Sequence, residues 1–287
     1  MTLAQNIGLV LIVCFASSLT AAEDGCQKVD IGRCRLNIRV AGQGTPVVVL
    51  ESGLGDTISS WEKVQPEVAK VTCVLAYDRA GLGQSDPAAT EPRSSAQIAR
   101  ELSTALHKAD LTPPYILVGH SMGGLHIRQF AYLFPKETAG LILVDPSAED
   151  WNELLKAQFP DEYEKHMAWR TADHPEGMKK ELAAWEICRE QARIARPLPD
   201  VPVVLFTGLK GNPGGTQIVL KLHEEWLKSI PGAEHILTEK SGHYLHVSEP
   251  ELVITAISKM VERVRRDAST AAEVRVRSRV SSRISLP

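Results

Sequence analysis

The chain has 287 residues, of which 44% are hydrophobic, 23% charged and 5% aromatic. This balance argues against collagen, an intrinsically disordered chain and a polytopic membrane protein. Thirty-two Lys and Arg side chains stand against 35 Asp and Glu, a net charge of −3, which argues against a nucleic-acid binder held mainly by charge.

The charge is distributed unevenly. Residues 1–22 carry no charged side chain, whereas residues 265–287 hold six Arg against Asp267 and Glu273, a surplus of four positive charges. The remaining stretch, 23–264, therefore carries −7. The composition predicts an uncharged leader, an acidic body and a basic tail.

An apolar run covers 7–19 and is shorter than the about 20 residues that span a bilayer. Small residues follow it at 20–22, before a polar stretch. This pattern predicts a signal peptide over 1–22 with cleavage near Ala22, hence a secreted or periplasmic protein with no stable membrane span in the mature chain. No Lys or Arg precedes the run, so an uncleaved N-terminal anchor or a misassigned start remains open.

Two cysteines, Cys26 and Cys34, flank a short turn signal at 30–32. In an oxidising compartment they could bridge a hairpin. The alternative is that both stay reduced, because the sequence does not give their separation. No cysteine pair has the spacing of a zinc site, and we expect neither a metal nor a cofactor.

Short apolar runs rich in β-branched residues recur through the body and predict strands buried on both faces. Helical apolar spacing covers 58–70, 94–110 and 122–134. Strands that alternate with helices predict an α/β fold with a mostly parallel sheet. The predicted strands are 35–41, 46–50, 71–77, 115–118, 141–144, 201–206 and 235–238.

Residues 147–199 break this alternation, because they contain no strand run and hold three of the five Trp. We interpret this segment as a helical cap insertion over the carboxyl ends of the strands, where a substrate pocket would form. The core then comprises 23–146 and 200–265. The basic segment 266–287 lacks turn punctuation and is predicted to be a disordered, solvated tail.

The sequence Gly-His-Ser-Met-Gly at 119–123 joins a predicted strand directly to a predicted helix. A sharp turn there would strain the serine backbone, and glycines on either side remove side chains that would collide across the turn. The Ser121 hydroxyl would project above the sheet at the positive end of the helix. Ser121 is therefore the predicted nucleophile.

A serine hydroxyl needs a base to take its proton. His243 follows the predicted last strand in a turn and is the preferred base. His246, three residues later, is its rival. His120 adjoins the nucleophile but is expected to point into the core.

A carboxylate must hold the imidazole in its productive tautomer. Its usual place is the loop after the strand 201–207, but residues 208–215 contain no carboxylate. Asp145, at the end of the preceding strand, is the preferred acid. Glu149 and Asp150 remain alternatives.

Negative charge that develops on oxygen requires backbone donors aimed at it. The N–H of Met122, directly after the nucleophile, is one predicted donor. Leu54 supplies the other, because the glycines that flank it allow a tight turn that exposes its N–H.

Four motifs occur in the order found in the α/β-hydrolase family, which this chain resembles over about residues 30 to 265. The resemblance implies an eight-stranded, mostly parallel sheet with a helical cap after the sixth strand. It also implies Ser121 as nucleophile and His243 as base, and some relatives carry the acid after the sixth strand, as Asp145 would be. The motifs are Glu-Ser-Gly-Leu-Gly at 51–55, Tyr-Asp-Arg-Ala-Gly-Leu-Gly-Gln-Ser-Asp at 77–86, Gly-His-Ser-Met-Gly-Gly at 119–124 and Ser-Gly-His at 241–243.

These residues together predict a serine hydrolase that cleaves a carboxylic ester of a small, largely apolar substrate through an acyl-enzyme. An amide, a lactone or acyl transfer could use the same residues. A small-molecule sensor on the same fold is the alternative from another functional class.

Overall fold

The computed structural model of the protein describes residues 25–211 and 213–284. The predicted signal peptide, 1–22, lies outside the described residues. Within them, eight strands form one sheet in the order β1-β2-β4-β3-β5-β6-β7-β8. Strand β2 is antiparallel to its neighbours β1 and β4, and the other neighbouring pairs are parallel. The strands are Cys26–Asp30 (β1), Arg35–Ala41 (β2), Val47–Glu51 (β3), Val74–Tyr77 (β4), Tyr115–His120 (β5), Thr138–Val144 (β6), Val203–Gly208 (β7) and Glu234–Thr238 (β8).

Helices cover both faces of this sheet. The helices outside the 147–199 segment are Gln65–Val68 (α1), Ser95–Lys108 (α2), Met122–Leu133 (α3), Pro213–Leu227 (α8), Leu245–Ser248 (α9) and Pro250–Ile284 (α10). Between β6 and β7 lie Trp151–Gln158 (α4), Pro160–Arg170 (α5), Glu176–Ala183 (α6) and Trp185–Ile194 (α7). The predicted fold class, a mostly parallel α/β sheet flanked by helices, is confirmed.

Successive side chains of the central strands enter two separate cores. In β3, Val47 and Val49 belong to the core shared with α2 and α3, whereas Val48 and Leu50 belong to the core shared with α10. Adjacent residues of a strand point to opposite faces of the sheet. A strand covered on both faces therefore has to be apolar at every position, which explains the continuous Val-rich run in the sequence.

The helix predicted over 94–110 is present, and Ser94 caps it: the Ser94 hydroxyl accepts a hydrogen bond from the N–H of Gln97 at 3.3 Å. The helix predicted over 58–70 is instead divided into a 3₁₀ turn, Ile58–Trp61, and the short helix α1. Pro66 lies in the first turn of α1. Because proline has no N–H to donate to a preceding turn, it starts a helix more readily than it continues one.

Of the two alternatives for Cys26 and Cys34, the structure excludes the disulfide between them. In the hairpin of β1 and β2, Cys26 lies opposite Arg39 and Asp30 lies opposite Arg35. Cys34 thus adjoins the turn, and Cys26 lies at the far end of β1. Along β1, the four-residue rise from Cys26 to the turn end corresponds to roughly 13 Å. A disulfide requires Cα atoms within about 7 Å.

The prediction of a disordered tail over 266–287 was also wrong for its described part. Helix α10 begins at Pro250 and continues to Ile284, past the predicted core boundary at 265. No Gly or Pro occurs between Glu251 and Ile284, so no residue of the segment interrupts the helical backbone. Within the described residues, no helix is both long enough and apolar enough to cross a bilayer.

Candidate active site

Ser121 lies in a strained turn between β5 and α3, with φ 51° and ψ −122°. Two glycines make the turn possible. A Cβ on Gly119 would lie 2.7 Å from the carbonyl oxygen of Gly123, and one on Gly123 would lie 2.6 Å from that of Glu51. No side chain fits at these distances, so the predicted Gly-x-Ser-x-Gly turn has a steric reason.

The loop between β8 and α9 carries His243. Its Nε2 lies 2.8 Å from the Ser121 Oγ, and its Nδ1 lies 2.7 Å from Oδ2 of Asp145. In the neutral imidazole with a proton on Nδ1, Nδ1–H donates to Asp145 and Nε2 accepts from the Ser121 hydroxyl. The three residues predicted as nucleophile, base and acid therefore form one hydrogen-bonded chain.

Asp145 directly follows β6, and its backbone also has a positive φ, 44°. Its Oδ1 accepts a hydrogen bond from the N–H of Gly208 at 3.0 Å, while Oδ2 bonds His243. Both carboxylate oxygens are thus held. The two alternative acids bond elsewhere: Glu149 lies 2.6 Å from Arg128, and Asp150 pairs with Arg193.

The rival base, His246, is completely buried and its ring lies against Trp61. Neither of its ring nitrogens has a hydrogen-bond partner among the described residues. Burial, followed by the charge of His243, lowers the pKa of His246 to about 3. His246 is therefore a neutral core residue without contact to the Ser121 hydroxyl.

His120 lies in the core, as predicted. Its Nε2 donates to the backbone carbonyl of His243 at 2.9 Å, which ties the end of β5 to the loop that carries the base. Burial lowers the pKa of His120 well below its usual range, and the charges of His243 and His246 lower it further. The imidazole stays neutral beside the hydrogen-bonded chain.

A second histidine chain lies behind Asp145, and the sequence did not indicate it. Nε2 of His223 donates to the carbonyl of Pro146 at 2.9 Å, and its Nδ1 accepts from the Thr207 hydroxyl at 2.7 Å. The same hydroxyl oxygen accepts from Nε2 of His235 at 2.8 Å. The chain supports the residue directly after Asp145, and burial lowers the pKa of His223.

The predicted oxyanion donors are the N–H groups of Leu54 and Met122. The side chain of Leu54 packs on the buried cluster that contains Met122. Neither the Leu54 N–H nor the Met122 N–H has a hydrogen-bond partner among the described residues. Met122 is the first residue of α3, where backbone N–H groups lack intrahelical acceptors. Both donors are therefore unoccupied next to Ser121.

A cavity of about 660 Å³ opens over Ser121 and His243. The ionisable residues that line it besides the hydrogen-bonded chain are Asp56, whose pKa burial raises, and His120, His166, Lys210 and Tyr244. The remaining wall is largely apolar and comes from the 147–199 segment. It includes Trp151, Trp169, Trp185 and Met178.

No group of three or more His, Cys, Asp or Glu side chains in the described part of the chain could hold a metal ion. The hydrogen-bonded chain and the two backbone donors are sufficient for nucleophilic acyl chemistry.

Comparison with known proteins identifies the fold that carries this arrangement. The model of the alpha/beta hydrolase fold matches residues 46–175. Together with the eight-stranded sheet, this match shows the α/β-hydrolase fold. A relative from Gibberella zeae, an AB hydrolase superfamily protein, is 25% identical over 281 residues, which cover 77% of this chain and 87% of the relative.

Solved structures show the same fold. A thermophilic esterase from Thermogutta terrifontis superposes with a TM-score of 0.58 at 22% identity and covers 83% of this chain and 98% of its own. An enol-lactonase from Burkholderia xenovorans superposes with a TM-score of 0.56 at 17% identity and covers 82% and 100%. These likenesses show the fold, and an esterase and a lactonase are among the structural neighbours.

Proposed function

We propose that the protein is a serine hydrolase that cleaves a carboxylic ester of a small, largely apolar substrate. The observation that carries the proposal is the chain Ser121–His243–Asp145, with hydrogen bonds of 2.8 and 2.7 Å at the floor of a largely apolar cavity. Such a chain converts a weak hydroxyl nucleophile into a strong one.

In the proposed reaction, Ser121 Oγ attacks the ester carbonyl while Nε2 of His243 takes the hydroxyl proton. The N–H groups of Leu54 and Met122 bind the oxygen on which negative charge develops. His243 then gives the proton to the leaving alcohol. A water molecule, activated by the same imidazole, attacks the acyl-enzyme and releases the acid.

The test is a panel of chromogenic esters of increasing acyl length, with Ser121→Ala as the matched control. We expect multiple turnovers with the wild type, covalent labelling of Ser121 by a fluorophosphonate, and neither with the variant. Unchanged turnover in Ser121→Ala would contradict the mechanism. Single-turnover cleavage by the wild type would instead favour the sensor alternative.

Amides, lactones and acyl transfer to another alcohol use the same residues, and the same panel separates them. Faster turnover of a matched amide or lactone would assign the bond. Retention of the acyl group on an added alcohol would assign a transferase. The apolar wall favours esters without charge on the acyl part, because an unpaired charge would lose its hydration there.

We also propose that residues 1–22 direct export. Expression in a bacterial host, followed by N-terminal sequencing of the exported protein, is expected to give a mature chain that starts close to Glu23. A chain that keeps residues 1–22 would contradict cleavage.

A further inference from the structure

The guanidinium of Arg79 is completely buried beneath the turn that follows β3. Its Nη1 donates to the Glu51 carboxylate at 2.6 Å and to the Ser52 carbonyl at 2.7 Å, and its Nη2 donates to the Gly53 carbonyl at 2.6 Å. Two further bonds go to Glu181, from Nε at 2.6 Å and from Nη2 at 2.9 Å. A guanidinium has five N–H groups. Protein acceptors occupy them all, so none is left for a substrate.

Glu181 comes from helix α6 in the 147–199 segment. Its side chain and that of Arg79 are each 1% exposed. Besides Arg79, Oε2 of Glu181 accepts a hydrogen bond from the N–H of Gly55 at 3.0 Å. The glutamate therefore bonds both the arginine under the turn and the turn itself.

Helix α6 lies directly on this turn and on the loop that follows β4. A Cβ on Gly177, in the first turn of α6, would lie 2.0 Å from the carbonyl oxygen of Gly81, so only glycine permits this approach. A Cβ on Gly55 would lie 2.9 Å from the side chain of Met178. The position of α6 is thus defined by steric contact as well as by the ion pair.

These bonds fix the two peptide units that flank Leu54. A trans peptide is planar, so its C=O and N–H point in opposite directions. Because the Gly53 carbonyl points to Arg79, the Leu54 N–H points away from Arg79. Because the Gly55 N–H points to Glu181, the Leu54 carbonyl points away from Glu181. The orientation of the Leu54 N–H is therefore set by one buried ion pair, together with the hydrogen bond from the Asp56 N–H to the Gly53 carbonyl at 3.2 Å.

We propose that Arg79 and Glu181 form a clamp that orients the Leu54 N–H as an oxyanion donor, so that the seating of α6 completes the oxyanion hole. The inference rests on the proposed function. Glu181 touches neither Ser121 nor a substrate and acts through Leu54, which makes it a positioning residue. The helix that carries Met178 into the pocket wall would then also control the rate of the chemical step.

The test compares Glu181→Ala and Glu181→Gln with Glu190→Gln, a matched control on helix α7 whose side chain is 62% exposed. Removal of one oxyanion donor costs about 10² in kcat or more. We expect Glu181→Ala to lower kcat by about that factor, with KM within about threefold, because a misaligned donor weakens transition-state binding more than ground-state binding. Glu181→Gln keeps one acceptor for Gly55 and should lose less. Glu190→Gln should match the wild type.

Two further measurements separate positioning from folding. Titration with a fluorophosphonate counts the folded sites, so kcat is expressed per active serine even where a variant folds poorly. The affinity of a boronic acid, which forms a tetrahedral adduct on Ser121, should fall in parallel with kcat in Glu181→Ala.

Three outcomes would overturn the clamp. The first is a lower melting temperature with unchanged kcat per active site, which would mean a purely structural role. The second is a rise in KM alone, which would mean a pocket effect. The third is an equal loss in Glu190→Gln. In each case wild-type ester turnover persists, so the clamp fails while the proposed function stands. Absence of wild-type turnover and of Ser121 labelling would instead overturn the proposed function, and the clamp with it.

Discussion

The two sides of the pocket are built in different ways. Ser121 and Asp145 follow adjacent parallel strands, have positive φ, and are only 9% and 6% exposed. The facing segment, 147–199, consists of helices, of which α5 contains no buried residue and carries Trp169 at 46% exposure. Buried turns at the sheet thus hold the reacting groups, whereas helices supply the wall, and one of these, α5, buries none of its residues.

Helices α4, α6 and α7 each bury some residues, and in α6 one of them is a carboxylate. Glu181 is completely buried, although most of the segment around it is partly exposed. We therefore expect substitutions on the sheet side to alter the catalytic rate or the stability, and substitutions on α5 to alter the choice of substrate.

The largest effect is expected from Asp145→Asn on the sheet side. An asparagine amide would donate to Nδ1 of His243 and impose the wrong tautomer, which lowers kcat by about 10⁴ in a triad of this type. Steady-state kinetics with a fast ester would measure the loss. Glu149→Gln, whose wild-type side chain pairs with Arg128, is the control and should retain activity. A comparable loss in Glu149→Gln or Asp150→Asn would show that the acid is misassigned.

The second effect concerns stability and pH. The folded-state pKa of His246 is lowered to about 3, below the unfolded value of about 6.5. Between these values the unfolded chain binds more protons, so the free energy of unfolding falls as the pH falls below 6.5. Each pH unit costs about 1.4 kcal/mol, hence roughly 2 kcal/mol for this histidine between pH 6.5 and pH 5.

Urea unfolding of His246→Gln at pH 7 and pH 5 tests this. The variant should lose about 2 kcal/mol less than the wild type between the two pH values. His107→Gln, at an exposed position on α2, should keep the wild-type difference. An unchanged difference in His246→Gln would mean that His246 does not titrate in this window.

A smaller effect is expected on the cap side from Trp169→Ala. Loss of part of an apolar wall should lower kcat/KM for long-chain esters by about tenfold, equivalent to about 1.4 kcal/mol. Acetyl esters should change little. Ile194→Ala, an exposed residue of the same segment, is the control. Equal losses for short and long esters would break the proposed division between rate and substrate choice.

The smallest effect is expected from deletion of residues 267–287. The described side chains of 266–270 are exposed, and Arg265, which donates to the carbonyls of Thr45 and Val71, remains in the truncated chain. We expect kcat/KM for a soluble ester to stay within about twofold, because no pocket contact is removed. A tenfold loss would show that the end of α10 belongs to the functional site.

Much of the fold was predictable because its signals are local. Continuous apolar runs indicated strands buried on both faces, and helical apolar spacing over 94–110 indicated α2. Gly119 indicated the turn at Ser121, because the clash that it avoids, with the Gly123 carbonyl, arises within a few residues of the chain. The clash that Gly123 avoids is with the Glu51 carbonyl on β3 and is a tertiary contact.

The sequence reduced the candidates for the catalytic acid to three residues but did not decide among them. Asp145, Glu149 and Asp150 lie within six positions of one another, so spacing along the chain does not separate them. The choice required the loop after β8 to bring His243 to one of them across 98 residues. The prediction of disorder at the end of α10 was wrong because it depended on charge composition alone. The segment contains no residue that stops a helix, and the helix continues.

The sequence by itself determined the α/β fold class, the strained turn at Ser121 and the set of groups from which the site is drawn. These follow from side-chain periodicity and from steric limits between near neighbours. The tertiary structure decided which carboxylate meets His243 and that Glu181 reaches Arg79 from 102 positions away. Such contacts depend on how helices pack on the finished sheet, and no local pattern encodes them.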